Sequence, residues 1–400
     1  MKKLLIVLLF CSIQAFGAND TLLIVNKGEA LPKIIIKDKS NMRDKDLQKN
    51  FYNLILNDLR VSSNFQVLEK GEEKGNYVFE YTLDKKDRLS LNVIVRVDGA
   101  IKSSRNYSLK NIEQYPFLAH KGVKDSVKNL GLAPIEWMDH KILIARSSGS
   151  GKSQIIMADY TLTYQVILVD GGLNIFPKWA NQEQTAFYYT AYDARIPTLY
   201  RFDLKTNTPT RVISSGGMLV ASDVSRDGNK ILLTMAPSDQ PDVHLYDIRT
   251  KSLQKITQYS GADVNAQFIE DEKKIVFVSD RLGYPTLFIQ TIGSEDTKQL
   301  VWHARNNTAV STFQNYLVYS SREQDQKGVF NIYLMSTQSD YIRQLTANGK
   351  NLFPRFSSDG GSIVFIKYLG EQTALGVIRV NANKSFHYPL KLGRILSIDW

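Results

Sequence analysis

The run Ile142-Leu143-Ile144-Ala145 is the first of six short apolar runs that decide the fold of this 400-residue chain. The starts of successive runs are 45, 44, 44, 42 and 46 residues apart. A period of this length, with four strands in each unit, is typical of a β-propeller. The later runs are Phe187-Tyr188-Tyr189-Thr190, Ile231-Leu232-Leu233-Thr234, Ile275-Val276-Phe277-Val278, Leu317-Val318-Tyr319-Ser320 and Ile363-Val364-Phe365-Ile366.

Each unit repeats the same parts around its apolar run. A strand that ends in an aromatic or branched residue comes first, as at Trp179 and Phe356, and a turn such as Asp227-Gly228 follows. The run itself does not alternate, which indicates a strand buried on both faces between adjacent blades. Two further strands close the unit, and the sequence therefore predicts an all-β six-bladed propeller over residues 135–400.

The C-terminal residues are expected to close the ring. Residues 394–400 resemble a first strand with nothing after it, and Trp400 occupies the position of Trp179. In the unit that begins near Trp137, the sequence matches the pattern of a second strand well, but the residues before it match the pattern of a first strand poorly. The C-terminal strand is therefore predicted to complete that unit, which removes an open sheet edge.

Residues 18–134 do not repeat and predict an α/β domain. Apolar residues at helical spacing follow a possible cap at Asp44, and Pro116 starts a second helix that Gly131 ends. His120 lies on the apolar side of that helix, where a packed, hydrogen-bonded histidine is expected rather than a ligand. The predicted strands cover residues 22–25, 34–36, 65–68, 77–83, 89–97 and 103–109, and a linker near Ala133-Pro134 ends the domain.

The first 17 residues have the pattern of a signal peptide. Lys2 and Lys3 precede an apolar segment over residues 4–13, and Ala15-Phe16-Gly17 provides small residues for cleavage before Ala18. The apolar segment is too short to span a bilayer, and no later run is long enough. Phe10 stands where lipidation of Cys11 needs a small residue. The mature chain is therefore predicted to be an exported protein with no membrane span.

Composition and motifs exclude several classes of function. Cys11 is the single cysteine, so a disulfide framework and a thiolate metal site are excluded. The formal net charge of +10 is spread thinly, without the basic cluster that nucleic-acid binding needs. No G-x-S-x-G or H-E-x-x-H motif occurs, and Arg146 replaces the first glycine of a P-loop at residues 146–153. Most aspartates at the blade turns are explained by the preference of Asp for turns. No dense cluster of possible ligand residues supports a cation in the tunnel or another cofactor.

The combination of domains resembles the TolB family. The resemblance rests on residues 58–65 and 117–120 of the first domain, and on residues 278–285, 343–346 and 351–360 of the propeller. Asp-Gly is missing from the turns after Trp179, Phe268 and Phe313, and Ser62-Ser63 stands where Ser-Gly is usual. These departures affect local turns more than the identification.

The resemblance implies a non-catalytic adaptor of the Tol-Pal system that is located in the periplasm. Such proteins bind the lipoprotein Pal at the mouth of the propeller tunnel and the inner-membrane-anchored protein TolA through their extreme N-terminus. They support outer-membrane integrity and envelope constriction at cell division. Other outer-membrane or peptidoglycan-associated proteins and imported bacteriocins are further implied partners. A secreted propeller enzyme or a carbohydrate-binding lectin is the alternative.

Loops that lead into the innermost strands are expected to form the Pal-binding face. For Ile175, Met218 and Leu352, the alternative that they only plug the tunnel stays open. Changing Met218 or Leu219 to Asp is expected to weaken Pal binding without unfolding. The predicted face comprises Asn174, Ile175, Phe176, Gly217, Met218, Leu219, Val220, Asp263, Val264, Asn265, Arg281, Tyr284, Asn306, Asn307, Asn351, Leu352 and Phe353.

The N-terminus of the mature chain is the predicted TolA-binding segment. Its polar start precedes four apolar, β-prone residues, Leu22 to Val25. Addition of a short strand to a partner sheet suits such a segment, because backbone hydrogen bonds supply the affinity. An ordinary strand of the first domain is the alternative. The predicted segment is Ala18, Asn19, Asp20, Thr21 and Leu22.

Overall fold

The structure is a computed structural model that describes residues 30–68, 75–192, 196–322 and 327–400. It consists of an N-terminal α/β domain and an all-β propeller, so the predicted fold class is confirmed. The predicted signal peptide, the TolA-binding segment over residues 18–22 and the strand over residues 22–25 lie outside the described residues.

The N-terminal domain packs two helices against a five-stranded sheet. Helix α1 begins after Asp44, whose carboxylate accepts a hydrogen bond from the Leu47 amide at 3.0 Å, so the predicted cap is confirmed. In helix α2, Pro116 lies in the first turn, where its missing N–H costs nothing. The helices are α1 (Lys45–Ser62) and α2 (Tyr115–Asn129), with short 3₁₀ helices at Ile112–Gln114 and Glu136–Asp139.

The sheet of this domain is mixed and buries one face. Its strands are β1 (Lys33–Asp38), β2 (Gln66–Val67), β3 (Tyr77–Lys85), β4 (Leu89–Val97) and β5 (Ala100–Leu109), in the order β2-β1-β3-β4-β5. Strand β1 runs parallel to β2 and β3, and the other pairs are antiparallel. In β4, Leu89, Leu91 and Val93 are buried in alternation with more exposed residues, because one face meets the helices.

The propeller contains six blades of four antiparallel strands, and one parallel pairing, Phe330 with Lys350, joins the last two blades into a single sheet. Blade 1 contains β6 (Ile142–Gly149), β7 (Lys152–Ala158) and β8 (Gln165–Val169); blade 2 contains β9 (Asn174–Trp179), β10 (Ala186–Ala191), β11 (Thr198–Asp203) and β12 (Thr208–Ser214). Blade 3 contains β13 (Leu219–Val224), β14 (Lys230–Met235), β15 (Asp242–Asp247) and β16 (Leu253–Lys255); blade 4 contains β17 (Asp263–Ile269), β18 (Lys274–Ser279), β19 (Thr286–Thr291) and β20 (Thr297–Gln299). Blade 5 contains β21 (Asn307–Phe313), β22 (Tyr316–Arg322), β23 (Phe330–Ser336) and β24 (Ser339–Gln344); blade 6 contains β25 (Lys350–Phe356), β26 (Ser362–Leu369), β27 (Gln372–Arg379) and β28 (Lys384–Pro389).

Strand β29 (Ile395–Asp399) supplies the innermost strand of blade 1. It pairs antiparallel with β6, with Ile398 opposite Ile144. Next to this strand, the indole rings of Trp400 and Trp137 meet edge to face, 5.0 Å apart. The C-terminal strand therefore joins the two ends of the ring, as the sequence predicts.

The second strand of each blade is enclosed on both sides, which explains why its sequence does not alternate. Ile363, Val364 and Phe365 are all fully buried, although successive side chains point to opposite faces of the sheet. Ile363 and Phe365 join the cluster shared with blade 5, whereas Val364 joins the cluster next to blade 1. The continuous apolar runs are therefore the layers that adjacent blades bury between them.

Antiparallel blades give the propeller two unlike faces. The loop face contains the connections that lead into the innermost strands and those between second and third strands. The turn face contains the turns between first and second strands and between third and fourth strands. On the turn face, Asp227 accepts hydrogen bonds from Ser225 Oγ at 2.6 Å and the Asn229 amide at 3.0 Å, and Gly228 has φ +72°. This geometry explains the predicted Asp-Gly turn.

Candidate protein-binding face

A largely apolar cavity of about 400 Å³ opens where the tunnel meets the loop face. Inner strands from different blades line it, and eight residues of the predicted Pal-binding face take part. These are Phe176, Met218, Val220, Val264, Asn265, Asn306, Leu352 and Phe353. Met218 is 46% exposed, so it forms part of the surface and does not plug the tunnel. The structure thus brings about half of the predicted residues together around one opening.

A bulge in each inner strand shapes this cavity. The register against the second strand shifts at the same level in all six blades. At four of these bulges a non-glycine residue has a φ of 54° or 55°: Phe176, Asn265, Ala309 and Phe353. This left-handed conformation is unfavourable for residues with a Cβ, and such strain often lies at binding sites. All four line the cavity, and no glycine in the sequence marks them.

Three asparagines of the predicted face make hydrogen bonds within the chain. Asn174, Asn307 and Asn351 are buried, and each amide nitrogen donates to the loop that precedes it or to the third strand of the preceding blade. Asn351 Nδ2, for example, donates to the Phe330 carbonyl at 3.0 Å and to the Asn348 carbonyl at 2.9 Å. These three side chains therefore hold successive blades together, and their contact with a partner stays a prediction.

Three further residues of the predicted face make their contacts inside the blades. Leu219 is fully buried in the cluster shared by blades 2 and 3, so a carboxylate there is expected to destabilise the fold. Asp263 is fully buried and accepts hydrogen bonds from Arg281 at 3.1 and 3.2 Å. Burial raises the pKa of Asp263, although bonds from Ser279 and Arg281 oppose that shift. The Arg281 guanidinium also lies 4.7 Å from the centre of the Phe288 ring, so both its charge and its planar face have partners within blade 4.

The remaining predicted residues lie at the margin of the mouth. Ile175 packs partly against the cluster between blades 1 and 2, Gly217 precedes Met218, and Tyr284 carries the Arg305 guanidinium 5.5 Å from its ring centre. The structure therefore leaves Tyr284 on the loop face but outside the tunnel cavity.

Two cations and two anions meet in the middle of the tunnel. Lys178 Nζ lies 3.2 Å from both Asp223 Oδ1 and Asp399 Oδ1, and Arg355 Nε lies 3.6 Å from Asp399 Oδ1. Burial lowers the pKa of Lys178, but Asp399 and Asp223 outweigh it, and the net shift is upward. Lys178, Asp223 and Arg355 each immediately precede the last residue of their inner strand, whereas Asp399 is the last residue of β29. The charges balance each other, and the described residues contain no cluster of His, Cys, Asp and Glu able to hold a metal ion.

Exposed large apolar side chains within the propeller concentrate on the loop face. Among the described residues, no exposed large apolar side chain lies in a turn of the turn face. Those that lie outside the loop face belong to β5 and to the outer strands β8, β16 and β24. Exposed apolar groups gathered on one face are a feature of interaction surfaces. Those on the loop face are Ile196, Met218, Leu282, Trp302, Leu369 and Leu392. Of these, the sequence prediction included only Met218.

A buried charge network joins the two domains on the side away from the loop face. His120 of α2 is fully buried, with Nδ1 2.8 Å from Asp58 Oδ2 and Nε2 3.2 Å from Asp159 Oδ2. Asp58 belongs to α1, whereas Asp159 follows β7 of the propeller. Burial lowers the pKa of His120, but the two carboxylates raise it to a net value of about 10. The predicted hydrogen-bonded histidine is therefore a cation held between two domains.

Hydroxyl groups complete this network. Tyr160 donates to Asp58 Oδ1 at 2.5 Å, Asn57 Nδ2 donates to the Tyr160 hydroxyl at 2.9 Å, and Tyr388 donates to Asn57 Oδ1 at 3.0 Å. Asp159 accepts further bonds from the amides of Thr161 and Tyr164 at 2.9 and 2.6 Å. Because each carboxylate is paired and hydrogen-bonded, the buried charges are compensated and the relative placement of the domains is specified.

Comparison with known proteins identifies the family of this chain. The TolB beta propeller domain matches residues 139–400. A Tol-Pal system protein TolB from Campylobacter jejuni is 64% identical over 402 residues and covers 100% of both chains. The chain belongs to the TolB family. Its TolB relative in Wolinella succinogenes is 44% identical, with 96% of this chain and 97% of the relative covered.

A solved structure shows the same fold. The crystal structure of TolB from Acinetobacter baumannii matches with a TM-score of 0.79 and 17% sequence identity, and covers 92% of this chain and 96% of that one. Among the described residues of this TolB chain, no helix has the length and apolar character needed to cross a membrane.

Proposed function

We propose that this protein is a non-catalytic periplasmic adaptor that binds Pal on the loop face of its propeller and TolA through residues 18–22. In this role it supports outer-membrane integrity and envelope constriction at cell division. One observation carries the proposal. Six exposed large apolar side chains lie on the face that carries the apolar tunnel mouth, whereas the opposite face exposes none in its described turns. An apolar centre with a polar rim suits a protein partner.

The Pal interaction is tested by titration of the purified protein with lipid-free Pal from the same organism. Met218→Asp places a charge at the tunnel mouth, where docking would desolvate it, so we expect at least a tenfold loss of affinity. Leu253→Asp is the matched control, because Leu253 is similarly exposed but lies on the outer strand β16. Equal affinity of both variants and the wild type would place the Pal site elsewhere.

The TolA interaction is tested by deletion of residues 18–22 from the mature chain. We expect TolA binding to be lost while Pal binding and the melting temperature change little, because the segment precedes the first described strand. If Pal alters the affinity for TolA, then TolA must alter the affinity for Pal by the same factor. Undiminished TolA binding by the shortened protein would move that site to the surface of residues 23–134.

A further inference from the structure

Trp302 is the most exposed large apolar side chain in the described part of the chain. It is 77% exposed and lies in the connection from β20 to β21, on the loop face. Exposing an indole ring to water forgoes a large gain from burial. Tryptophan is also among the residue types most enriched at the energetic centres of protein interfaces.

The backbone on both sides of Trp302 is held in place. The Thr286 hydroxyl donates to the Val301 carbonyl at 3.1 Å, and the Asn307 amide group donates to the His303 carbonyl at 3.2 Å. The His303 ring lies 4.7 Å from the Tyr333 ring of blade 5. A side chain presented from such a fixed segment loses little conformational freedom when it binds.

The conformation of this connection is strained. Ala304 has φ 55° and Asn306 has φ 143°, both unfavourable for residues that carry a Cβ. Two such residues within three positions are retained only where the surroundings enforce them, and such sites are often functional. The strain therefore gives a second reason, independent of exposure, to assign a role to this segment.

Trp302 belongs to a patch distinct from the tunnel cavity. The exposed Arg305 guanidinium lies 5.5 Å from the Tyr284 ring centre, which brings the connection against the β18–β19 loop with its exposed Leu282. Neither Trp302 nor Leu282 lines the cavity. The patch combines two apolar groups with a cation, so a complementary surface has an apolar recess bordered by a carboxylate.

We propose that Trp302 is the main apolar anchor of the partner on the loop face, with Leu282 and Arg305 completing a rim site on blades 4 and 5. The partner is Pal, so this inference rests on the proposed function and assigns the energetic centre of that interface. Pal then contacts the propeller at two places, the tunnel mouth at Met218 and the off-axis rim at Trp302.

The test compares Trp302→Ala with Tyr341→Ala in titrations against lipid-free Pal. Tyr341 is the matched control, because it is an aromatic residue that is 56% exposed on the outer strand β24. We expect Trp302→Ala to weaken binding by about thirtyfold or more, the loss typical of an interface centre. Trp302→Phe should recover part of the affinity, and Tyr341→Ala should bind like the wild type. Unchanged melting temperatures show that each variant is folded.

Each outcome decides between the two proposals. Wild-type affinity of Trp302→Ala, with weakened binding of Met218→Asp, would overturn the rim site and leave the proposed function standing. Equal losses for Trp302→Ala and Tyr341→Ala would also overturn it, because the effect would then not belong to the loop face. If the wild-type protein does not bind Pal, both proposals are rejected.

Discussion

The junction between the domains and the loop face of the propeller reverse the usual distribution of side chains in opposite ways. The junction buries a histidinium and two carboxylates, whereas the loop face exposes Trp302 and Met218 to solvent. Charged groups are rarely buried unless paired, and large apolar patches are rarely exposed without a role. The two regions differ in where their contacts are made. Each buried charge contacts its partners within the chain, whereas these exposed apolar groups keep much of their surface in solvent.

This contrast separates the residues that hold the molecule together from those left available to a partner. At the junction, substitution should reduce stability, because the groups contact each other. On the loop face, substitution should reduce binding and leave stability nearly unchanged. Neighbouring residues in the sequence can fall on either side of this division, as Met218 and Leu219 do.

Removal of residues 394–400 should have the largest effect on stability. It opens the edge of β6 and removes the buried Ile395 and Ile398 together with the Trp400–Trp137 contact. Burial of each large apolar side chain contributes about 1.5–3 kcal/mol, so the total approaches the whole stability of a typical domain. We expect insoluble protein or a large fall in melting temperature. Trp400→Ala keeps the strand and should show a smaller fall; an unchanged melting curve of the shortened chain would contradict ring closure.

Leu219→Asp and Met218→Asp test the division within one dipeptide. Leu219 is 0% exposed, so a carboxylate there is forced into an apolar cluster, and we expect a loss of about 4 kcal/mol or more in the free energy of unfolding. Met218→Asp should change stability by about 0.5 kcal/mol or less, because its side chain meets solvent. Urea unfolding of both variants measures this. Similar losses in the free energy of unfolding of the two variants would contradict the division between residues that stabilise the fold and residues that are available to a partner.

Asp159→Asn tests the charge network at the junction. The variant leaves buried His120 with one of its two carboxylates, and breaking a buried pair in this way costs about 3 kcal/mol. Asp340→Asn, at an exposed position in β24, is the matched control and should leave the free energy of unfolding nearly unchanged. Stability of Asp159→Asn equal to that of the control would show that the network contributes little.

The pH dependence of stability tests the charge of His120 directly. The pKa of His120 is raised to about 10 in the folded protein and is about 6.5 when unfolded, so its contribution is complete below about pH 6.5 and is lost as pH rises towards 10. Asp159 acts in the opposite direction: its pKa is lowered, so its contribution is lost on acidification below about 4. Urea unfolding at pH 6, 8 and 10 should show a steeper decline for the wild type than for His120→Gln. Parallel declines would argue against a charged His120.

The sequence predicts the propeller well, because its determinants are local and repeated. The apolar runs, the Asp-Gly turns and the strand at 395–399 each follow from residue type and spacing. The partners of His120 cannot be found in this way, since Asp58 and Asp159 lie 62 and 39 residues away along the chain. Their meeting depends on how the domains dock, which no local pattern encodes.

The candidate face could be located from the sequence but not resolved into roles. Position in the repeat places Asn174, Asn307 and Asn351 at the tunnel mouth, yet their short amide side chains turn inward to satisfy backbone carbonyls. For Trp302 the sequence misleads in the opposite direction, because a tryptophan beside a strand suggests a core residue, whereas its side chain is exposed. Only the bend of the connection, with its unfavourable φ values, places the indole ring outside.

The closure of blade 1 fixes an order of assembly. Strand β29 pairs with β6, about 250 residues earlier in the chain, so every other strand of the ring is synthesised before the closing one. Contacts between residues so distant in sequence form late, because the intervening chain must first be organised. The Trp137–Trp400 contact connects the start of the propeller to the residue that follows β29. Until β29 has been synthesised, the edge of β6 therefore lacks its final partner, and this interval is when a chaperone that shields strand edges would be most effective.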